Sequence, residues 1–399
     1  MENNNNNNNI INLGIIGQEN VGKCLFNKNF TIKFGSIVKP NEFTIKNNNF
    51  HIFSIPCSEP DFKDNFEMTL LNSDILIIII NINKEINEED KNYYQKIFLN
   101  IFYNQINKIL IIFNEFEETN TENNIFLYKN LFNEYLKIYK NFFEINEFEI
   151  KYIKSNIKKE TNFEEISENL INFNYKNNNN NNLEFILYDK YFDEEDKTFV
   201  CSGKLMKGSI SIEMNNLNYF TINSKNNNLI KISNIIPKRL CNLNGKYLNK
   251  INSPEFITIK FDDSNFINIK EEIISKNSFI FSNENLIIFD TFEANIILFE
   301  SNLAVVAKGF ECNFENYNFM SDVNFLNVNG FYSGENNEIF NKKNIINTEK
   351  NKIVKCILKL KNPILSMKYE QNKKIGSFML KKDGKIFAVG KILKYKIFN

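Results

Sequence analysis

Near the start of the chain, Gly17-Gln18-Glu19-Asn20-Val21-Gly22-Lys23-Cys24 constrains the fold more than any other segment. It follows the pattern G-x-x-x-x-G-K-[ST]. In that pattern backbone N–H groups cradle phosphates, the lysine reaches the β/γ-phosphates and the terminal hydroxyl binds Mg²⁺. Here the last letter differs, because Cys24 puts sulfur where the pattern has a hydroxyl. A neutral thiol is a soft, weak ligand for a hard cation that prefers oxygen. The flanks suit the pattern: Ile10–Ile16 is a short apolar strand leading into Gly17, and Cys24-Leu25-Phe26 can open a helix whose N-terminus holds an anion. A glycine turn that never meets phosphate is the other reading of the loop taken alone.

A chain of 399 residues is long enough for two or three domains with ample core. Lys+Arg and Asp+Glu both number 48, so no global field steers it to nucleic acid or to a membrane. Neither a membrane nor a direct, sequence-specific nucleic-acid partner is expected, and the chain reads as a monomer. Arg239 is the only arginine and His51 the only histidine. The six cysteines, Cys24, Cys57, Cys201, Cys241, Cys312 and Cys356, are scattered without a C-x-x-C pair. They read as reduced thiols of a cytoplasmic protein, with no zinc site. No signal peptide is visible, and the longest aliphatic run, Ile75–Ile80, is too short to span a bilayer.

Residues 1–9 contain the run Asn3–Asn9 and read as disordered. Over 10–175 strands and helices alternate: strands at Ile10–Ile16, Phe50–Phe53, Ile75–Ile82, Ile109–Phe113 and Glu149–Ile153, helices at Asp61–Asn72, Glu88–Asn107, Asn124–Phe143 and Asn162–Phe173. Such alternation predicts a mostly parallel sheet covered on both faces, with ligands at the carboxyl ends of its strands. Residues 176–183 form an Asn-rich linker. Helical periodicity then stops. Short strands at Lys197–Gly203, Phe256–Phe261, Ser278–Phe281, Ala294–Phe299, Lys352–Leu360 and Ser377–Leu380 take over, with turns at Asn244-Gly245 and Asp383-Gly384. This half predicts two small barrels, at 184–289 and 290–399.

Further segments carry a family likeness. Phe53-Ser54-Ile55-Pro56-Cys57-Ser58 leads from the strand at Phe50–Phe53, Asn114-Glu115-Phe116-Glu117 from that at Ile109–Phe113, and Lys154-Ser155-Asn156 from that at Glu149–Ile153. Asp189-Lys190-Tyr191 and Ser202-Gly203-Lys204-Leu205-Met206-Lys207-Gly208 open the all-β half. The run from Ile375 to Ile392 closes it. In this order they resemble the D-x-P-G-H, N-K-x-D, S-A and barrel motifs of the translational GTPases of the elongation factor Tu and one-alpha type, most of all the eukaryotic class II release factors. The resemblance implies an α/β P-loop GTPase-like domain followed by two all-β barrels. It also implies a translation termination factor that binds the class I release factor and delivers it to the ribosome. An active GTP-hydrolysing factor of the ribosome-rescue or elongation-factor-one-alpha branch is the alternative.

Departures from the family pattern bear on chemistry. Ser58 stands where the family has its catalytic histidine, Ser54 where an aspartate supports Mg²⁺, and Cys57 where a glycine senses the γ-phosphate. Phosphoryl transfer depends on those positioning and electrostatic groups, so no catalytic residue and no metal ligand is assigned, and GTP hydrolysis is expected to be lost. Only 30 residues lie between Lys23 and Ser54, leaving little room for a long switch segment; Thr44 gains no assigned role. The degenerate nucleotide site implied is Gly17, Asn20, Val21, Gly22, Lys23 and Cys24 for phosphate, with Asn114, Glu117 and Ser155 for the base. Glu115 takes the place of the family's lysine, so that role does not carry over. GTP or GDP is expected to bind weakly and with little use of Mg²⁺. Gly376-Ser377-Phe378 replaces the family's G-R-F and is the implied contact for the class I factor; for Phe378 a barrel-core role is the other reading.

Overall fold

The computed structural model describes residues 10–34, 42–45, 48–54, 69–70, 73–116, 121–145, 147–173, 183–222, 228–242, 245–252, 255–266, 278–282, 286–298, 305–316, 319–333, 337–340, 345–347 and 353–395. The chain forms two compact units, Met1–Lys176 and Asn177–Asn399.

The first unit is built on a six-stranded sheet of order β2-β3-β1-β4-β5-β6. Its strands are β1 (Ile10–Ile16), β2 (Glu42–Ile45), β3 (Asn48–Ser54), β4 (Ile75–Asn81), β5 (Lys108–Asn114) and β6 (Glu149–Ser155). All neighbours run parallel except β2 and β3. The reason is legible in β4, whose residues 75–80 are all buried. A strand apolar on both faces needs cover on both, which a parallel sheet with crossover helices provides. Helices α1 (Lys23–Phe34) and α4 (Phe163–Asn172) cover one face, where Phe26, Phe30, Phe163 and Ile166 join Leu13, Ile15, Ile77 and Ile79 in one core. Helices α2 (Glu88–Tyr103) and α3 (Glu122–Phe143) meet through an aromatic seam: Phe98 stacks on Phe132 at 4.9 Å, and Tyr94 meets Tyr128 edge-on at 5.6 Å. Of the helix expected over Asp61–Asn72, only 69–70 is described, and it is helical; the rest lies outside the described residues.

Among the described residues, every strand pairing in the second unit is antiparallel. An eight-stranded sheet has the order β11-β10-β16-β7-β8-β15-β12-β13. It comprises β7 (Glu184–Asp193), β8 (Thr198–Lys207), β10 (Leu217–Ile222), β11 (Leu229–Ile235), β12 (Pro237–Asn242), β13 (Tyr247–Leu248), β15 (Glu255–Asp262) and β16 (Ser278–Phe281), while β9 (Ser209–Ser211) pairs with β14 (Lys250–Asn252). Phe185, Phe199, Tyr219, Leu240 and Ile257 fill its interior. A seven-stranded sheet, order β19-β24-β25-β17-β23-β20-β21, closes on itself where β19 also pairs with β20. Its strands are β17 (Ile287–Leu298), β19 (Glu311–Asn316), β20 (Phe319–Ser333), β21 (Asn337–Phe340), β23 (Ile353–Ser366), β24 (Ser377–Lys382) and β25 (Lys385–Tyr395), with β18 (Val305–Ala307) and β22 (Ile345–Asn347) paired beside it. The turn expected at Asp383-Gly384 joins β24 to β25, with φ of 51° and 75° as a two-residue hairpin requires. A shared apolar seam, including Ile186, Phe220, Phe279, Leu365 and Ile375, joins the two barrels.

Candidate phosphate-binding site

The expected loop joins the carboxyl end of β1 to the N-terminus of α1. Two contacts demand its glycines. A Cβ on Gly17 would lie 2.5 Å from the Ile79 carbonyl oxygen. Gly22 has φ +97°, where a side chain would also meet the Asn114 amide nitrogen at 3.1 Å. The first intrahelical bond of α1 runs from the Phe26 N–H to the Gly22 carbonyl at 2.8 Å. The earlier N–H groups of that turn have no acceptor within the helix and point out of its N-terminus, as an anion site requires.

Lys23 lies almost wholly buried within the loop it belongs to. Its ammonium donates to the Gly17 carbonyl at 2.7 Å and the Gln18 carbonyl at 2.8 Å. Burial pushes its pKa down, and the Glu19 carboxylate opposes that. Asn20 holds the left-handed conformation, with φ 58°, at the exposed tip; Val21 is buried.

From below, Asn114 at the end of β5 braces the loop. Its amide nitrogen donates to the Val21 carbonyl at 2.9 Å, and its amide oxygen accepts from the Ile157 N–H at 3.0 Å. The residue expected to read a base is thus 1% exposed and ties two loops together. Ser155 is likewise buried, its hydroxyl donating to the Thr161 carbonyl at 2.6 Å. Glu117, Cys57 and Ser58 lie outside the described residues; Ser54 closes β3 beside Ile15.

A second brace gave no motif in the sequence. Gln18 donates through Nε2 to Asp90 Oδ1 at 2.5 Å, across 72 positions of chain. Asp90 is 1% exposed, sits in the first turn of α2, and also accepts from Lys84 Nζ at 3.0 Å and the Asn87 N–H at 3.2 Å. Burial alone would raise its pKa; hydrogen bonds from Gln18, Asn87 and Lys84 outweigh it and hold the carboxyl below the usual range. The local signal was the capping box, Asn87 with Asp90 three residues on.

Cys24 departs from expectation, because it is disulfide-bonded, whereas the other described cysteines, Cys201, Cys241, Cys312 and Cys356, are free. A disulfide sulfur offers Mg²⁺ even less than a thiol does. No group of acidic, histidine or cysteine side chains suited to a metal occurs among the described residues. Gly17, Gly22 and Lys23 thus keep the geometry of a phosphate loop, while its last position carries sulfur, a poor partner for a hard cation.

The implied partner contact is also corrected. Gly376 is buried, and a Cβ there would sit 2.4 Å from Tyr369 backbone. Ser377 and Phe378 are 0% exposed. The Ser377 hydroxyl donates to the Lys373 carbonyl at 2.6 Å, and Phe378 stacks on Phe314 at 5.0 Å inside the barrel. These side chains hold the barrel together and cannot meet a partner from there. The outer face of β19, β20, β23 and β24 instead carries a polar groove of about 560 Å³ lined by Glu311, Asn313, Asp322, Lys359, Lys361 and Lys382. No helix among the described residues is long and apolar enough to cross a membrane.

Comparison with known proteins agrees on the fold. Residues 291–393 match the family model described as GTP-eEF1A C-terminal domain-like. Translation elongation factor SelB from Methanococcus maripaludis is similar over 98% of this chain and 80% of its own in the apo form, with 14% identity and a TM-score of 0.60. In complex with the GTP analogue GppNHp, the figures are 97%, 80%, 13% and 0.61. Sup35 complexed with GMPPNP covers 97% of this chain and 94% of its own, at 16% identity and a TM-score of 0.42. No curated protein sequence matches the chain. The fold is the one these elongation-factor structures share: an α/β domain with a P-loop-like turn followed by antiparallel β-barrels.

Proposed function

We propose that this chain is a translation termination factor of the class II release-factor type that binds guanine nucleotide weakly and does not hydrolyse it. The observation that carries the reading is the divided loop. Its phosphate half is braced by Lys23, Asn114 and Asp90, while its metal position holds a disulfide-bonded sulfur. Phosphoryl transfer without a positioned metal and water loses most of its electrostatic stabilisation. The first unit then acts as a nucleotide-responsive scaffold, and the barrels as the working surface for the class I release factor at the ribosome. With Gly376-Ser377-Phe378 buried, the partner contact passes to the groove lined by Lys361 and Lys382. The match of residues 291–393 to a translation-factor model supports this assignment of work to the barrels.

The decisive experiment uses the full chain. Nucleotide is titrated by calorimetry with and without Mg²⁺, and class I release factor is captured by wild type and by Lys361→Glu/Lys382→Glu. Weak, Mg²⁺-indifferent binding and capture lost in the variant are expected. Tight Mg²⁺-dependent binding with ribosome-stimulated turnover would favour the active-GTPase alternative, for which the intact Gly17, Gly22 and Lys23 speak.

A further inference from the structure

Asp90 lies behind the phosphate loop, and its carboxylate is shared by groups from separate segments. Gln18 reaches it from the loop, Lys84 from the turn after β4, and the Asn87 N–H from the helix cap. A buried carboxylate needs such donors, because an unpaired one would cost several kcal/mol. The capping box satisfies Oδ2 locally, so α2 does not need Gln18 to be capped. What Gln18 gains is a fixed position, at 2.5 Å from Oδ1, directly before the stretch whose N–H groups would face phosphate. The loop carbonyls of Gly17 and Gln18 are meanwhile drawn inward by Lys23, and Val21 is held by Asn114. Its first, second and fifth residues are each tied to protein groups.

We infer that Asp90 is a positioning residue: through Gln18 it holds the phosphate loop in its binding shape before any ligand arrives. It touches no phosphate itself. The inference rests on reading the loop as a nucleotide site for its consequence in affinity, but the preformed shape is testable without nucleotide. A loop fixed beforehand loses less conformational freedom on binding, so its brace shows up in ligand affinity as well as in the resting protein.

The test is amide hydrogen exchange across residues 17–24 in the nucleotide-free full chain, followed by GDP titration. Gln18→Ala removes the tether and leaves the helix cap. Asp90→Asn keeps an acceptor for Gln18 but no charge. Asn87→Ala weakens the cap and leaves the tether. A hydrogen bond to a charged group is worth enough to change a local opening equilibrium by about ten-fold or more. Gln18→Ala should therefore speed loop exchange by about ten-fold and weaken GDP binding, while Asp90→Asn has a smaller effect on exchange. Asn87→Ala should lower thermal stability without changing loop exchange. The inference fails if Gln18→Ala leaves exchange at wild-type rates, or if Asn87→Ala speeds it equally, which would reduce Asp90 to a cap. If wild type binds no GDP but Gln18→Ala still loosens the loop, the nucleotide reading fails and the brace stands.

Discussion

Gly390 and Phe378 offer the sharpest test of where the Gly-Ser-Phe triplet points. A Cβ on Gly390 would sit 2.1 Å from Phe378 Cζ and 2.6 Å from both Cε atoms, far inside contact distance. The ring cannot move away easily, since Phe292 meets it edge-on at 5.4 Å and Phe314 stacks on it at 5.0 Å. Gly390→Ala should therefore cost about 1–3 kcal/mol as overpacking. Phe378→Leu removes the very Cε and Cζ atoms that clash, at a cost of about 1–2 kcal/mol for the lost ring packing. In the double variant the new methyl enters vacated space. The two changes should then couple favourably by about 1–3 kcal/mol, the whole cost of Gly390→Ala, leaving the double variant no less stable than Phe378→Leu alone. Urea unfolding of the full chain, with hydrogen exchange read on peptides from residues 377–395, reports the barrel separately from the first unit. Strict additivity, or a Gly390→Ala cost below about 0.5 kcal/mol, would mean that the ring does not lie over Gly390. That result would refute the buried placement and return Phe378 to the surface as a partner anchor.

Other expectations follow from the same structure. GTP turnover should be undetectable, alone or with ribosomes and the class I factor; ribosome-stimulated turnover abolished by Lys23→Ala would contradict this. Cys24→Ser supplies the missing oxygen, so it should make nucleotide affinity respond to Mg²⁺ more than wild type does in parallel titrations. Ser377→Glu should destabilise the barrel severely, because it drives a carboxylate into a position 0% exposed; an unchanged melting temperature would count against the structure. Burial lowers Lys190 from 10.5 to about 8, with its ammonium held by the hydroxyls of Tyr219 and Ser278. Above pH 8 the folded state sheds this proton while the unfolded chain keeps it, so the unfolded state binds more protons and stability rises with pH. The Lys190 gain falls between about pH 8 and 9, where Cys201, Cys241, Cys312 and Cys356, all pushed up by burial, pull the other way as thiols of the unfolded chain ionise. Lys190→Met should remove that gain in urea-unfolding measurements across that window.

How far the sequence could be read depended on whether the deciding contact was local. The parallel sheet was visible because Ile75–Ile80 is apolar on both faces, and the hairpin at Asp383-Gly384 because its backbone needs positive φ there. The phosphate loop was visible because its glycines, lysine and flanking strand and helix lie within one short stretch. The Gln18–Asp90 brace was not, since neither residue shows in its own surroundings that the other is near. Asn114 was assigned to a base; its amide also ties Val21 to Ile157, a tertiary contact that a linear motif cannot reveal. Ser377 misled for a related reason. Alternation along β24 would set Ser377 on the face opposite Phe378, but residues 369–376 fold over that face too, and Lys373 captures the hydroxyl. The bonded state of Cys24 likewise had no C-x-x-C or other local pattern to announce it.

The division within the loop follows from what each residue is bonded to. Gly17 and Gly22 are required by the fold itself, since side chains there would strike Ile79 and Asn114 whether or not phosphate is present. Lys23 caps the carbonyls of Gly17 and Gln18, so losing it would leave loop carbonyls without their donor even in the empty protein. Cys24 is different: it lies exposed at the start of α1, and substitution there leaves those braces intact. A loop of this kind can lose its metal-binding hydroxyl without unfolding, whereas losing a glycine or the lysine disturbs its shape. Persistence of Gly17, Gly22 and Lys23 is therefore weak evidence for hydrolysis, because structural demand alone accounts for them. Cys24 carries none of those loop braces, so it is the informative position, and there the oxygen that the pattern offers to Mg²⁺ is replaced by a bonded sulfur.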